Sequence, residues 1–168
     1  YVENKPGDGG MIALNDVLAQ PADGYSLSFC TYFDAINTLL YKNVSYKLAD
    51  IAPITLVSKY YYLMALAKSV PVDTFKEFVS YAKAHSGDIL YGTVGAGSTQ
   101  ELVAHELEKT AGIRMTKVPF KGANEITQEM LAGRVHFQVG PPIAIGPFYP
   151  SGKLKVLATT SPQRLKSF

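Results

Sequence analysis

The sequence has one cysteine, no tryptophan and no long apolar run, and each shortage narrows the range of possible proteins. The lone Cys30 cannot form a disulfide within the chain, and its place in an apolar segment predicts a buried thiol. No apolar stretch approaches the roughly 20 residues that cross a bilayer, because Lys59 and Lys68 interrupt the longest candidates. A membrane-inserted protein is therefore not predicted.

Charge of one sign is also scarce. The chain carries 16 lysines and arginines against 14 acidic residues, a net charge of +2, with no run of like charge. Nucleic-acid binding needs a basic patch, so nucleic acid is not a predicted partner. The histidines His85, His105 and His136 have no metal-ligand spacing with one another or with Cys30, so neither a metal nor a cofactor is predicted.

What remains is the composition of a folded α/β protein, with 47% hydrophobic and 18% charged residues. Residues 11–18 show helical periodicity and residues 25–30 alternate as a strand does, which predicts a strand-helix-strand unit at the start. The extended stretch through residues 51–67 is predicted to pass between two lobes. We therefore divide the chain into a partial first lobe, residues 1–60, and a second α/β lobe, residues 61–168, built from β–α repeats.

A glycine-rich turn organises this second lobe. The apolar run 88–91 ends in a loop with Gly92, Gly95 and Gly97, and a helix is predicted to begin at Ser98. Glycines let a ligand approach the backbone closely, and the first amides of a helix have no intrahelical partner. The turn is therefore predicted to bind an anion, either a carboxylate or a phosphate.

An ordinary βα turn has the same local pattern. Ser98 and Glu101 have the spacing of a capping box, in which each side chain bonds the other residue's amide. The negative charge of Glu101 also argues against an anion at this place. The local pattern alone leaves both interpretations open.

The ends of the predicted parallel strands favour the binding interpretation. Ligands of open α/β sheets bind beyond the carboxyl ends of the strands, and here those ends are residues 93–97, 119–121 and 140–141. None of the three arginines, Arg114, Arg134 and Arg164, lies on these loops. A bound carboxylate is therefore expected to be held by amides and hydroxyls.

Several motifs, in order and spacing, resemble the Bug family, the periplasmic receptors of tripartite tricarboxylate transporters. They are VENKPGDGG at 2–10, PADGY at 21–25, IAPITLV at 51–57, YG at 91–92 with GAGSTQ at 95–100, VPFKG at 118–122, LAG at 131–133 and GKL at 152–154. Each motif is weak alone, but together they are specific. Glu101 departs from the family, which commonly has histidine there.

The resemblance implies a type II periplasmic-binding-protein-like fold, with two lobes of parallel-rich sheets flanked by helices and the first lobe incomplete in this chain. It implies a receptor, not an enzyme, that captures a small carboxylate in the periplasm of a Gram-negative bacterium and passes it to membrane permease subunits. The given sequence opens without a basic-then-apolar leader, so any export signal is expected to have been removed or never to have been present. Thr31 would face the ligand from the first lobe. The predicted ligand-binding residues are Thr31, Thr93, Gly95, Ala96, Gly97, Ser98, Thr99, Lys121 and Gly140, and no catalytic residue is predicted.

Two other functions share parts of this pattern. The effector domain of a transcription regulator has the same lobe architecture. A nucleotide-using enzyme could use the glycine turn, although Gly95 and Gly97 lack the third glycine of the dinucleotide fingerprint and no Walker lysine follows.

Overall fold

A computed structural model describes residues 1–5 and 7–166 and divides the chain into two compact units, Tyr1–Val57 and Ser58–Phe168. The boundary lies three residues before the one predicted from the sequence. That the units are the two lobes of a receptor stays a prediction. Among the described residues, no helix is both long and apolar enough to cross a membrane.

The first unit contains two helices, α1 (Met11–Leu18) and α2 (Tyr32–Leu40), with short 3-10 turns at Asp8–Gly10 and Leu48–Asp50. Leu14 of α1 is buried, and the Tyr46 hydroxyl donates to the Asp34 carbonyl at 2.7 Å. Helix α2 starts with a reciprocal cap: Thr31 accepts from the amide of Phe33, and Asp34 accepts from the amide of Thr31. Helix α1 confirms the helix predicted from the periodicity of residues 11–18.

The strand predicted at residues 25–30 is absent from the structure, and so is the strand-helix-strand unit. The alternating side chains Tyr25, Leu27 and Phe29 are 92%, 66% and 73% exposed, and Cys30 is exposed instead of buried. A strand forms only where a neighbouring strand takes its backbone hydrogen bonds. No described segment of this unit pairs with residues 25–30, so their alternation alone does not produce a strand.

The second unit contains a five-stranded sheet in the order β3-β2-β4-β1-β5. The strands are β1 (Leu63–Ala67), β2 (Leu90–Thr93), β3 (Thr116–Pro119), β4 (Phe137–Gly140) and β5 (Leu154–Thr159). The helices are α3 (Phe75–Ala84), α4 (Thr99–Ala111), α5 (Ala123–Leu131) and the short α6 (Pro142–Ile145). As expected for a strand that ends in proline, β3 lies at the edge of the sheet.

The sheet is mixed. Strand β2 is parallel to both β3 and β4, whereas β1 is antiparallel to β4 and β5. The crossovers through α4 and α5 are therefore of the predicted parallel type, but the one through α3 joins strands of opposite direction. The carboxyl ends of β2, β3 and β4 consequently lie at the same edge.

Helices cover both faces of the sheet, and the buried apolar residues between helices and strands form two clusters. One cluster packs Phe78 of α3 against Phe137 of β4, with ring centroids 5.0 Å apart, and includes Ala104 and Leu107 of α4. The other packs Ile126 and Met130 of α5 with residues of β1 and the segment that follows β4. This arrangement fixes the start of α4 beside the end of β2.

Candidate functional site

The candidate site is the turn between β2 and α4. Strand β2 ends at Thr93, and Ser98 is the N-cap residue of α4. Gly95 and Gly97 adopt φ angles of 115° and 75°, which side chains other than glycine rarely tolerate. The predicted strand, glycine turn and helix start are therefore present in the structure.

Hydroxyl groups hold the turn from within. Thr93 Oγ1 lies 2.8 Å from Ser98 Oγ, accepts from the Gly95 amide at 3.2 Å and donates to the Gly95 carbonyl at 3.3 Å. Thr93 and Ser98 are both buried, with 1% and 0% of their residue surface exposed. Because these hydroxyls bond each other, their direct role is to shape the turn.

Backbone donors of the same turn remain available. Among the described residues, no hydrogen bond uses the amide of Ala96 or of Gly97. Ala96 is exposed, whereas Gly97 is buried. Both N–H groups precede the first turn of α4, where backbone donors without an intrahelical partner favour a hydrogen-bond acceptor.

The neighbouring strands bring two other predicted loops to this edge. Thr93 is the register partner of Pro119, and the Phe120 amide donates to the Thr93 carbonyl at 2.8 Å. Gly92 is paired with Gln138, so β4 ends on the other side of the turn at Gly140. The structure thus brings together the carboxyl ends of three strands, as the crossovers require.

Two predicted site residues on these loops have visible structural roles. A Cβ at Gly140 would lie 2.7 Å from Ile145 Cδ1, so packing alone requires glycine there. The Lys121 amide donates to Glu125 Oε2 at 3.0 Å, while its side chain is exposed. Their contact with a ligand stays a prediction.

Glu101 does not complete the predicted capping box. The Ser98 hydroxyl accepts from the Glu101 amide at 3.3 Å, but the Glu101 carboxylate bonds Lys117 of β3 at 2.6 Å instead of returning to Ser98. The expected objection to an anion is therefore weaker than the sequence suggests, because a lysine neutralises this charge.

Tyr91 lies near the Glu101 carboxylate. Burial, together with the negative charges of Glu101 and Glu108, raises the pKa of Tyr91 to about 12, so the phenol adds no charge at neutral pH. Glu101 Oε2 and Gln100 Oε1 are buried and have no hydrogen-bond partner among the described residues. Lys117 is thus the hydrogen-bond partner of the Glu101 carboxylate.

Comparison with known proteins decides the family. The sequence matches the tripartite tricarboxylate transporter family receptor, TctC, over residues 1–168. The chain belongs to this family.

Both sequence relatives and solved structures support the family and the fold of this TctC chain. The chain is 30% identical over 174 residues to the "UPF0065 protein in gbd 5'region" of Cupriavidus necator, covering 99% of the chain and 51% of the relative. Among solved structures it is similar to R. palustris Rpa4515 with adipate, with 30% identity and a TM-score of 0.86 over 98% of this chain and 56% of that one. It is also similar to the periplasmic binding protein BugD, with 28% identity and a TM-score of 0.83 over 96% and 55%.

These comparisons confirm the Bug-family resemblance and the periplasmic-binding-protein fold with an incomplete lobe. The family and the structural neighbours are solute-binding receptors. The TctC chain spans about half the length of the curated relative and of each of the two solved chains.

Thr31 belongs to the first unit of this TctC chain, and it is not at the end of a strand. It is the exposed N-cap residue of α2, where its hydroxyl accepts from the Phe33 amide at 3.2 Å. Thr99, the first residue of α4, lies beside Ser98 as predicted. For both residues, ligand contact stays a prediction.

Lys117 is the residue that sequence analysis missed. No local signal pointed to it, because the pair depends on the register between β2 and β3, which places Lys117 beside the start of α4. An acid at the start of α4 then faces a lysine on the neighbouring strand.

Proposed function

We propose that this TctC-family protein is an extracytoplasmic receptor that binds a small carboxylate at the start of α4. The observation that carries the proposal is the pair of unpartnered amides at Ala96 and Gly97, held by a rigid turn at the strand ends. Adipate in the structure of Rpa4515, which is 30% identical, supports a dicarboxylate as the ligand class.

The turn offers donors suited to a carboxylate. Backbone N–H groups at a helix start attract negative charge, and each such interaction contributes about 0.3–1 kcal/mol at exposed sites and more where water is excluded. The bond between Thr93 and Ser98 fixes these donors before the ligand arrives, which lowers the entropic cost of binding.

Within residues 1–5 and 7–166, no arginine is found hydrogen-bonded to the turn. The Arg134 guanidinium is paired with Glu129 at the end of α5, and Arg114 is exposed before β3. Binding through amides is weaker than a bidentate arginine pair, which suits a receptor that must release its ligand. A micromolar Kd corresponds to about −8 kcal/mol, within reach of several hydrogen bonds in a dry site.

The proposal extends to the setting in which the family works. We infer a periplasmic protein that passes its ligand to the membrane permease subunits of a tripartite tricarboxylate transporter and that carries out no chemical reaction. Family membership supports each of these statements.

Calorimetric titration of the intact protein tests the proposal. The acids are adipate, succinate, citrate, glutamate and benzoate, and ATP and NAD are included because the glycine turn could also accept a nucleotide. We expect a micromolar Kd for at least one carboxylate and no heat with the nucleotides. Binding of a nucleotide alone, or of no acid, would overturn the receptor function.

A matched pair of variants locates the site. Thr93→Val removes the hydroxyl that bonds Gly95 and Ser98, so the carboxylate affinity should fall at least tenfold. Thr127→Val is the control, because it also removes a buried, doubly bonded hydroxyl, but one that bonds Ala123 and Gln138 instead of the turn. We expect both variants to lose about 1–3 kcal/mol of stability and only the first to lose affinity.

A further inference from the structure

The chain repeats one device at its helix starts. An acidic residue at the third helical position accepts hydrogen bonds from the backbone amides that precede the helix. Asp34 accepts from the Thr31 amide at 2.6 Å, Glu125 accepts from Lys121 at 3.0 Å, and Asp50 accepts from Lys47 at 2.8 Å in a 3-10 turn.

Helix α3 shows which amides this device occupies. Glu77 Oε2 accepts from the N-cap amide of Thr74 and from the preceding amide of Asp73, both at 3.0 Å. By position, the equivalent amides of α4 belong to Ser98 and Gly97. An acid that capped α4 in this way would therefore occupy the Gly97 amide of the proposed carboxylate site.

Helix α4 has an acidic residue at the third position, but its carboxylate does not accept from the amides that precede the helix. Its third residue is Glu101, yet the Ser98 amide donates to the Gly95 carbonyl at 3.2 Å, and the Gly97 amide has no partner among the described residues. The Glu101 carboxylate lies instead against Lys117, at 2.6 Å. The ion pair with Lys117 thus distinguishes this acid from Asp34, Glu77 and Glu125, for which no ion pair is found among the described residues.

We propose that Lys117 keeps the start of α4 open for a ligand carboxylate by holding the side chain of Glu101 against strand β3. The inference rests on the proposed function and adds a positioning residue that does not itself touch the ligand. When Lys117 is absent, the Glu101 carboxylate is uncompensated, and the cap formed by Glu77 at α3 predicts that it would turn to the amides of Ser98 and Gly97.

Without the ion pair to Lys117, the Glu101 side chain would weaken ligand binding in two ways. Its carboxylate would compete for the same amides, as Glu77 does at α3, and its negative charge would repel the incoming acid. Both effects require the charge of Glu101, so neutralising that residue should remove them. If Lys117 only stabilised the fold, neutralising Glu101 would not restore the affinity that the loss of Lys117 removes.

The experiment titrates the intact wild-type protein and its variants with adipate, succinate, citrate and glutamate. We expect Lys117→Met to weaken the best-bound acid at least tenfold. Lys117→Met combined with Glu101→Gln should bind within about twofold of the wild type, as should Lys117→Arg. Glu101→Gln alone should bind as well as the wild type or better.

The Glu129–Arg134 pair provides the control. Arg134→Met also breaks a surface ion pair, of 2.7 Å, but one at the end of α5, and it should leave the affinity unchanged. A second measurement follows the Gly97 amide by ¹⁵N–¹H spectroscopy without ligand. Its proton should shift downfield in Lys117→Met and return in the double variant.

The outcomes separate this inference from the proposed function. Wild-type affinity in Lys117→Met, or a double variant as weak as Lys117→Met, overturns the role of Lys117 while the receptor function stands. A wild-type protein that binds none of these acids overturns both.

Discussion

Gly92 shows how a single missing side chain allows α5 to pack on the sheet. A Cβ at this position would lie 2.2 Å from Ile126 Cγ2 and 2.9 Å from Cγ1, and Ile126 is fully buried. Gly92→Ala should therefore lower the free energy of unfolding by about 1–3 kcal/mol, because the helix or the strand must move. Urea denaturation followed by circular dichroism measures the loss.

Gly122→Ala is the matched control for this prediction. Gly122 has an extended backbone, with φ −165°, and no atom within 4 Å of an added Cβ. Its substitution changes only the N-cap preference of α5, which is worth less than about 1 kcal/mol. Equal losses in the two variants would show that the contact with Ile126 is not what requires glycine at position 92.

At the scale of single residues, part of the site could be predicted from the sequence. The glycines and the cap at Ser98 could be predicted because they depend on neighbours a few residues away. The partner of Glu101 could not, because Lys117 lies 16 residues further along the chain, and the pair depends on the register between β2 and β3. The bond between the hydroxyls of Thr93 and Ser98 was also not predicted, because it depends on how the glycine turn brings these two residues together.

Among the secondary-structure elements, helices could be predicted from nearby residues, whereas strand pairing, which joins residues far apart in the sequence, could not. The helix that starts after Ser98 was predicted from its capping residue, and α1 was predicted from its apolar periodicity. The strand at residues 25–30 was wrong, since a strand needs a partner that its own sequence does not specify. The antiparallel direction of β1 was missed because it depends on how β1 pairs with β4 and β5.

Helix α3 gives a pH-dependent prediction. Hydrogen bonds from the amides of Asp73 and Thr74 hold the pKa of Glu77 below its usual range. A lowered folded-state pKa stabilises the protein above the unfolded pKa, and that contribution disappears as the pH falls through the folded pKa. Glu77→Gln should therefore lower the Tm at pH 7, and the difference from the wild type should shrink towards pH 3.

Thermal melts between pH 3 and pH 7 measure this difference, and Glu106→Gln provides a control. Glu106 lies in the middle of α4, where it accepts from the Thr110 hydroxyl and caps no helix start. Its Tm difference from the wild type should change little over the same range. A Glu77→Gln difference that is constant with pH would mean that the carboxylate charge does not stabilise the cap.

Across the whole molecule, the two units differ in how much apolar surface they bury. Both apolar clusters lie in Ser58–Phe168, and they are built around the five-stranded sheet. In Tyr1–Val57 the buried hydrophobic residues among those described are Leu14 and Tyr46, while Ile54 and Leu56 are 77% and 79% exposed. Burial of apolar area is the main driving force of folding, so the units should differ in stability.

We therefore expect residues 58–168, expressed alone, to fold cooperatively, and residues 1–57, expressed alone, to remain unfolded. Circular dichroism, urea denaturation and the dispersion of ¹⁵N–¹H spectra distinguish the two states.

Within residues 58–168, Leu66→Ala should lower the free energy of unfolding by about 2–5 kcal/mol, because Leu66 is fully buried beneath α3 and α4. Ile143→Ala is the matched control, since Ile143 is 85% exposed and should cost little. A folded fragment 1–57, or a fragment 58–168 without a cooperative transition, would show that the buried clusters do not determine which part of this chain is stable.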